Sequence, residues 1–318
     1  IRLSLVGSEM CIRDRANLQQ STVVPSGQGF GNSILIDCTT ADTSVASSDT
    51  AVLRQIIEGQ NLQRLAYGTS DAKSITLSFW VRSTKTGTYI CNIYHADSTA
   101  RSQSQQYTIS QADTWEKKAL IFSGDTSIAA DNDNAATFYV QWGLMIGSDL
   151  SSGTLNTSWE NTVDANRFVG QVNFFDSTSN NFYLTGVQLE VGAETPFEHE
   201  DTSTTLRKCQ RYYQRIQCDT AYDAIMDGMH LVASQFYAMH TFPVQMREVP
   251  TMGENGAISI VSNGADRTPN SFILNRATKE VIQTYCALSG SNVGTAGHAG
   301  HIRNNNDADQ FVEFKAEL

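Results

Sequence analysis

The residues best suited to binding chemistry lie in the run SGTLNTSWENTVDANR, residues 152 to 167. Trp159 offers a flat π face against which the C–H side of a sugar ring can pack. Asn156, Glu160 and Asn161 beside it supply amide and carboxylate groups for the hydroxyls, the mix of apolar wall and placed polar groups that small-ligand sites use. Trp142 and Tyr94 sit in alternating apolar runs and are expected to line the same face. Each ring also has a plainer reading, because large aromatics mostly serve packing. On that reading Trp159 plugs the edge of a β-sandwich and the other two fill its core. Trp80 and Trp115 are read as structural.

Metal chemistry finds weaker material, and no cofactor is expected. Calcium takes about six to eight oxygen ligands. The runs DNDN (Asp131 to Asn134, with Asp133) and DCTTAD (Asp37 to Asp42) supply oxygens, but neither has the glycine and bidentate glutamate of an EF-hand loop. A structural calcium would have to use them; the default is a solvated loop. GHAGHIRNNNDAD offers His298 and His301, which a threefold axis would multiply into a metal site, though the motif contains no third kind of ligand. For catalysis the chain lacks GxSxG, HExxH, a P-loop and a strand-linked GxGxxG. Paired carboxylates for glycoside cleavage can come from anywhere in a fold, so a depolymerase stays open as an alternative. The expectation is a protein that is not an enzyme.

The elements that must position these residues are strands. SITLSFWVRS places Ile75, Leu77, Phe79 and Val81 on one face, and TGTYICNIYHA follows a turn at Gly87, which predicts a hairpin. TWEKKALIFSGD, ATFYVQWGLMIG, NRFVGQVNFF and NNFYLTGVQLEVG continue the pattern, with long loops rich in Asn, Asp, Ser, Thr and Gly between them. Strands at this spacing without intervening helices predict an all-β fold, a jelly-roll-like antiparallel sandwich over residues 16–200. After Pro196 and an acidic run, Leu206, Cys209 and Tyr213 at helical spacing predict a short helix capped by Asp201, Thr202 or Ser203. HLVASQFYAMHTF, AISIVS, SFILN, EVIQTYCAL and QFVEFKAEL then predict a second, smaller β domain over 201–318.

Composition bounds the partners. Lys and Arg number 22 against 33 Asp and Glu, a net charge of −11, and no basic cluster stands out, which argues against nucleic acid. No apolar run approaches the ~18 residues of a membrane span, so no membrane insertion is expected. Cys38, Cys91, Cys209, Cys218 and Cys286 are odd in number and form no CxxC pair, which reads as buried free thiols in a reducing compartment. Residues 1–15, with Cys11, show neither period. Their SLVGSEMCIRDR resembles a translated transposase adapter from DNA sequencing libraries, and the segment is expected to lie outside the fold.

Leu184 to Ile216, LTGVQLEVGAETPFEHEDTSTTLRKCQRYYQRI, resembles the junction in tail-fibre and minor structural proteins of tailed bacteriophages. There a sandwich similar to a carbohydrate-binding module ends in LEVG and passes through TPFE and CQRYY into a C-terminal domain. IIEGQNLQRLAYGTSDAKSITLSFWVRSTKTGTY is similar to that family's first sandwich strands, and FPVQMREVPTM to the start of its distal domain. The ending VEFKAEL is only similar to the family's acidic finish, and the loops match nothing in it. The resemblance implies a virion appendage, assembled in the host cytoplasm as a homotrimer with other tail proteins, that recognises a host-surface glycan or receptor. Its alternative is a purely structural neck or baseplate component.

Overall fold

In the computed structural model, which describes residues 4–7 by backbone alone and residues 15–317 in full, the chain divides after residue 199 into two compact units. The first carries β1 (Ser4–Gly7), β2 (Ala16–Ser21), β3 (Ser33–Cys38), β4 (Thr50–Glu58), β5 (Ile75–Ser83), β6 (Gly87–His95), β7 (Arg101–Ile109), β8 (Glu116–Phe122), β9 (Ala136–Ile146), β10 (Glu160–Asn161) and β11 (Asn181–Val191). They form an antiparallel sandwich of two sheets, ordered β1-β4-β9-β6-β7-β10 and β2-β3-β11-β5-β8. Period-two alternation builds its core. Leu77, Phe79 and Val81 of β5 face inward from one sheet, and Tyr89, Cys91 and Ile93 of β6 with Phe138, Val140 and Trp142 of β9 from the other. Phe79 meets Trp142 edge to face at 5.9 Å.

Three local expectations change. β5 and β6 are not a hairpin: β5 pairs with β11 and β8, β6 with β7 and β9. Alternation shows which side chains face a core but not which sheet holds the strand. NRFVGQVNFF forms no strand; Phe174 and Phe175 fill the core from a 3-10 turn. Ser4–Gly7 pairs antiparallel with Ala51 to Arg54 at a sheet edge, and Arg15 holds Asp42 at 3.1 Å, so parts of the N-terminal run do join the fold. The rest of that run, with Cys11, lies outside the described residues.

The second unit opens with α1 (Thr202–Gln210). Asp201 caps it, accepting from the Ser203 amide at 2.8 Å. Its apolar stripe is not buried: Leu206 and Cys209 are exposed, and the helix ends before Tyr213. Ten strands follow: β12 (Tyr213–Gln217), β13 (Ala224–Val232), β14 (Gln235–Thr241), β15 (Thr251–Asn255), β16 (Ile258–Ser262), β17 (Ala265–Arg267), β18 (Ser271–Ala277), β19 (Val281–Ala287), β20 (Ala299–Asn304) and β21 (Phe311–Lys315). They make a three-stranded sheet, β12-β21-β15, and a seven-stranded one, β17-β16-β20-β13-β14-β19-β18. Val312, Phe314 and Ala316 of the terminal run enter the core with Phe236 and Ile260, while Leu318 lies outside the described residues. Cys38, Cys91, Cys218 and Cys286 are buried free thiols, and Cys209 is the exposed exception. Among the described residues no helix is long and apolar enough to cross a membrane.

Candidate functional site

The site begins from strand register. In an antiparallel pair, directly opposed residues point to the same side of the sheet. Arg54, Gln141, Asn92 and Ser104 therefore form one row across β4, β9, β6 and β7, and Ile56, Tyr139, Tyr94 and Ser102 form the next. Their neighbours Leu53, Val140, Trp142, Cys91 and Ile93 face the core, so both rows lie on the outer face of the six-stranded sheet.

The rings and cations of these rows interlock. Tyr94 and Tyr139 meet edge to face at 5.8 Å. The Arg54 guanidinium lies over Tyr139 at 5.1 Å and that of Arg167 over Tyr94 at 4.9 Å. Arg167 also donates to Gln141 Oε1 at 2.7 Å, to Asn92 Oδ1 at 3.3 Å and to Asp164 Oδ1 at 3.3 Å. Asn92 in turn donates to the Ser104 hydroxyl at 2.9 Å. Burial is the main cause that holds both arginines below their ordinary pKa; Tyr139 opposes it at Arg54 and Asp164 at Arg167.

The segment after β9 fixes the boundary of this face. Phe168 packs on Val52 and Ile90 in a small apolar cluster, and Gln171 Oε1 accepts from the Ile90 amide at 2.7 Å. Gly143 makes this approach feasible, since a Cβ there would come within 2.6 Å of Gln171 Oε1. The segment covers one end of the face and delivers Arg167 onto the part that stays open, where Tyr94, Tyr139 and Arg54 are each partly exposed.

The sequence candidates separate on this frame. Tyr94 lies on the outer face, but Trp142 does not share it: its ring is 0% exposed in the core and offers no surface to a ligand. Trp159 packs from the edge against the core, with Tyr67 at 5.8 Å and Phe138 at 6.1 Å, and its indole N–H donates to the Ser123 carbonyl at 2.6 Å. Asn156 is buried, donating to Ser102 Oγ at 2.9 Å and accepting from Ser104 Oγ at 2.6 Å. Glu160 accepts from Asn166 at 3.0 Å and Asn161 from Arg101 at 2.9 Å. These three polar side chains tie the loop to the sheet. Tyr139, Arg54 and Arg167 were missed. Alternation alone separates Tyr139 from Trp142, but only register brings it beside Tyr94.

The metal candidates fall in both units, Asp131 and Asp133 in the first and His298 and His301 in the second. Asp133 Oδ1 accepts from the Ala135 amide at 3.0 Å, and Asp131 is exposed, its amide donating to Asp97. His298 passes its carbonyl to the His230 amide, while His301 sits on β20 opposite Asp227 and Val261. Among the described residues no three His, Cys, Asp or Glu side chains converge to hold a metal ion.

No family model matches the chain, and the search of curated proteins found no match. Solved structures similar to it include the enzymatically active domain of bacteriophage CBA120 tailspike protein 4, at 14% identity over 60% of this chain and 19% of that one, TM-score 0.31. They also include the family 11 carbohydrate-binding module from Clostridium thermocellum in complex with a β-1,3-1,4-mixed-linked tetrasaccharide, at 10% identity over 62% and 91%, TM-score 0.31. A third is TmCBM61 in complex with β-1,4-galactotriose, at 9% identity over 60% and 88%, TM-score 0.30. The chain spans less than a fifth of the tailspike domain and most of each module. Overlaps of this size leave function to be argued from the outer face itself.

Proposed function

We propose that the first unit binds a glycan without cutting it, through the outer face centred on Tyr94 and Tyr139. The observation that carries this reading is the pair of partly exposed rings on the outer face, held edge to face with a guanidinium beside each. Rings of this kind take the C–H side of a sugar, and side chains already held in place lose little freedom on binding. A single open site should be weak, with Kd on the order of millimolar to micromolar. Glycan-array binding by the full chain tests the reading. Tyr94→Ala and Tyr139→Ala should each weaken it about tenfold, with little change in thermal stability. Unchanged binding in both variants would move the site elsewhere, and release of reducing ends would favour the depolymerase.

The biological setting we propose is a tailed-phage appendage, on the resemblance of Leu184 to Ile216 to tail-fibre junctions. The host-surface glycan is then its receptor, and the protein is assembled in the host cytoplasm with other tail proteins. A homotrimer would multiply the weak site by avidity. The second unit supports self-association. Met229, Tyr237, Tyr285 and Ile273 form one cross-strand row on the seven-stranded sheet, with Met229 47% and Ile273 50% exposed. Light scattering should report three copies, and Met229→Lys with Ile273→Lys should shift it to one. A wild-type monomer at all concentrations would count against assembly through this row, and a structural neck or baseplate role predicts assembly without glycan binding.

A further inference from the structure

The tyrosine row of the outer face ends blind on one side. Across five strands it reads Ile56, Tyr139, Tyr94, Ser102 and Glu160, since Glu160 of β10 opposes Ser102 of β7. Its β7 section is roofed, for Ser102 and the neighbouring Ser104 are 0% exposed. The Asn156 side chain lies on both, 2.9 Å from Ser102 Oγ and 2.6 Å from Ser104 Oγ, and the Arg167 carbonyl oxygen also lies 2.6 Å from Ser104 Oγ. Beyond the roof Glu160 is tied to Asn166 at 3.0 Å. Along the strands a second side is closed where Phe168 packs on Val52 and Ile90. Towards β4 the row stays partly exposed, from Tyr94 through Tyr139 to Ile56. That is two strand spacings, about 10 Å, the reach of about two sugar residues.

We infer that this face takes the free end of a glycan chain, its last one or two sugar residues, rather than an internal stretch. The end residue lies on Tyr94 against the roof over Ser102, the next lies over Tyr139, and the chain leaves past Ile56. The roof is the argument. A chain bound by its middle along this row needs a groove open at both ends, whereas a row closed at β7 admits it only by an end. Sugar residues beyond the contact meet no surface and add little to affinity. Glycans on a cell surface are anchored through their reducing end, so the end presented to this face is the non-reducing one. This rests on the glycan reading above and deepens it.

The test uses the full chain on an array of linear glycans anchored at the reducing end, each terminal disaccharide presented alone, at the tip of a hexasaccharide, and capped by one further sugar of a different kind. For the glycans that bind, disaccharide and hexasaccharide with the same tip should agree within about threefold, and the cap should weaken binding about tenfold or more. Ile56→Trp, which adds a ring at the open side of the row, should make the trisaccharide bind about threefold or more tightly than the disaccharide. Thermal unfolding shows that this variant is folded. Affinity that climbs steadily to the hexasaccharide in the wild type, or capped and free tips that bind alike, would overturn recognition of the end and leave glycan binding standing. A folded Ile56→Trp with no gain from the third residue would overturn the path past Ile56. Binding of no glycan on the array would overturn the glycan reading, and recognition of the end with it.

Discussion

At the scale of single residues, the two tryptophans and the two tyrosines near the sheet divide by which side of it they face. Trp142 is fully buried and Trp159 closes the core edge with its N–H bonded to a carbonyl, so both are expected to hold the sandwich together. Trp142→Ala should cost about 3–5 kcal/mol of unfolding free energy. Trp159→Ala should cost about 2–4 kcal/mol, combining lost packing with the loss of the 2.6 Å hydrogen bond to the Ser123 carbonyl. Denaturant titration checks both, and a Trp159 variant of wild-type stability that no longer binds glycan would return the site to that residue. This division was half legible in the sequence. In ATFYVQWGLMIG the odd and even positions must face opposite ways, which sets Tyr139 against Trp142. That Tyr94 pairs with Tyr139 is a fact of register between residues 45 positions apart in sequence, and no local pattern encodes it. Arg167 was harder still, because its place on the face depends on the path of the whole segment after β9.

At the scale of elements, strands were legible wherever alternation was clean, and sheet membership was not. The junction motif, quoted as a resemblance, has a physical basis in each unit. Glu190 of LEVG accepts from the Thr195 amide and hydroxyl at 2.9 and 2.6 Å, and Phe197 of TPFE meets Phe30 edge to face at 4.9 Å. Tyr213 of CQRYY opens β12 and donates its hydroxyl to Glu313 of β21 at 2.7 Å. Each of these contacts fastens the end of one element within its own unit. The N-terminal strand is the opposite case, a short edge strand with no readable pattern. β4, the strand it covers, is also paired with β9 from Thr50 to Glu58. A chain beginning at Arg15 retains the contact of Arg15 with Asp42 and is expected to lose less than about 2 kcal/mol, a few degrees of melting temperature at this size. A larger loss, or aggregation through the newly exposed β4 edge, would show that β1 is an integral part of the sandwich.

At the scale of the whole molecule, buried histidines set how stability responds to acid. His95 in the first unit is 0% exposed, and burial holds its pKa below the ordinary value although Asp97 lies 3.5 Å away. In the second unit burial lowers His230 and His240 as well; Arg267 and His298 add to the effect at His230, and His240 stacks on Phe314. A histidine in the unfolded chain takes up a proton near pH ~6.5, while each of these stays neutral in the folded chain to a lower pH. Below ~6.5 the unfolded state therefore binds more protons, so the stability present above that pH is lost as pH falls towards the depressed folded values. The slope can reach about 1.4 kcal/mol per pH unit for each histidine held neutral. Unfolding free energy measured in denaturant should be flat from pH 8 to 7 and fall from 6.5 to 5.5, before the carboxylates titrate. His95→Gln should flatten the fall in the transition of the first unit, and His240→Gln that in the second, each after allowance for its own offset at pH 8. A wild-type stability unchanged between pH 7 and 5.5 would mean that the histidines take up protons in the folded chain as readily as in the unfolded one.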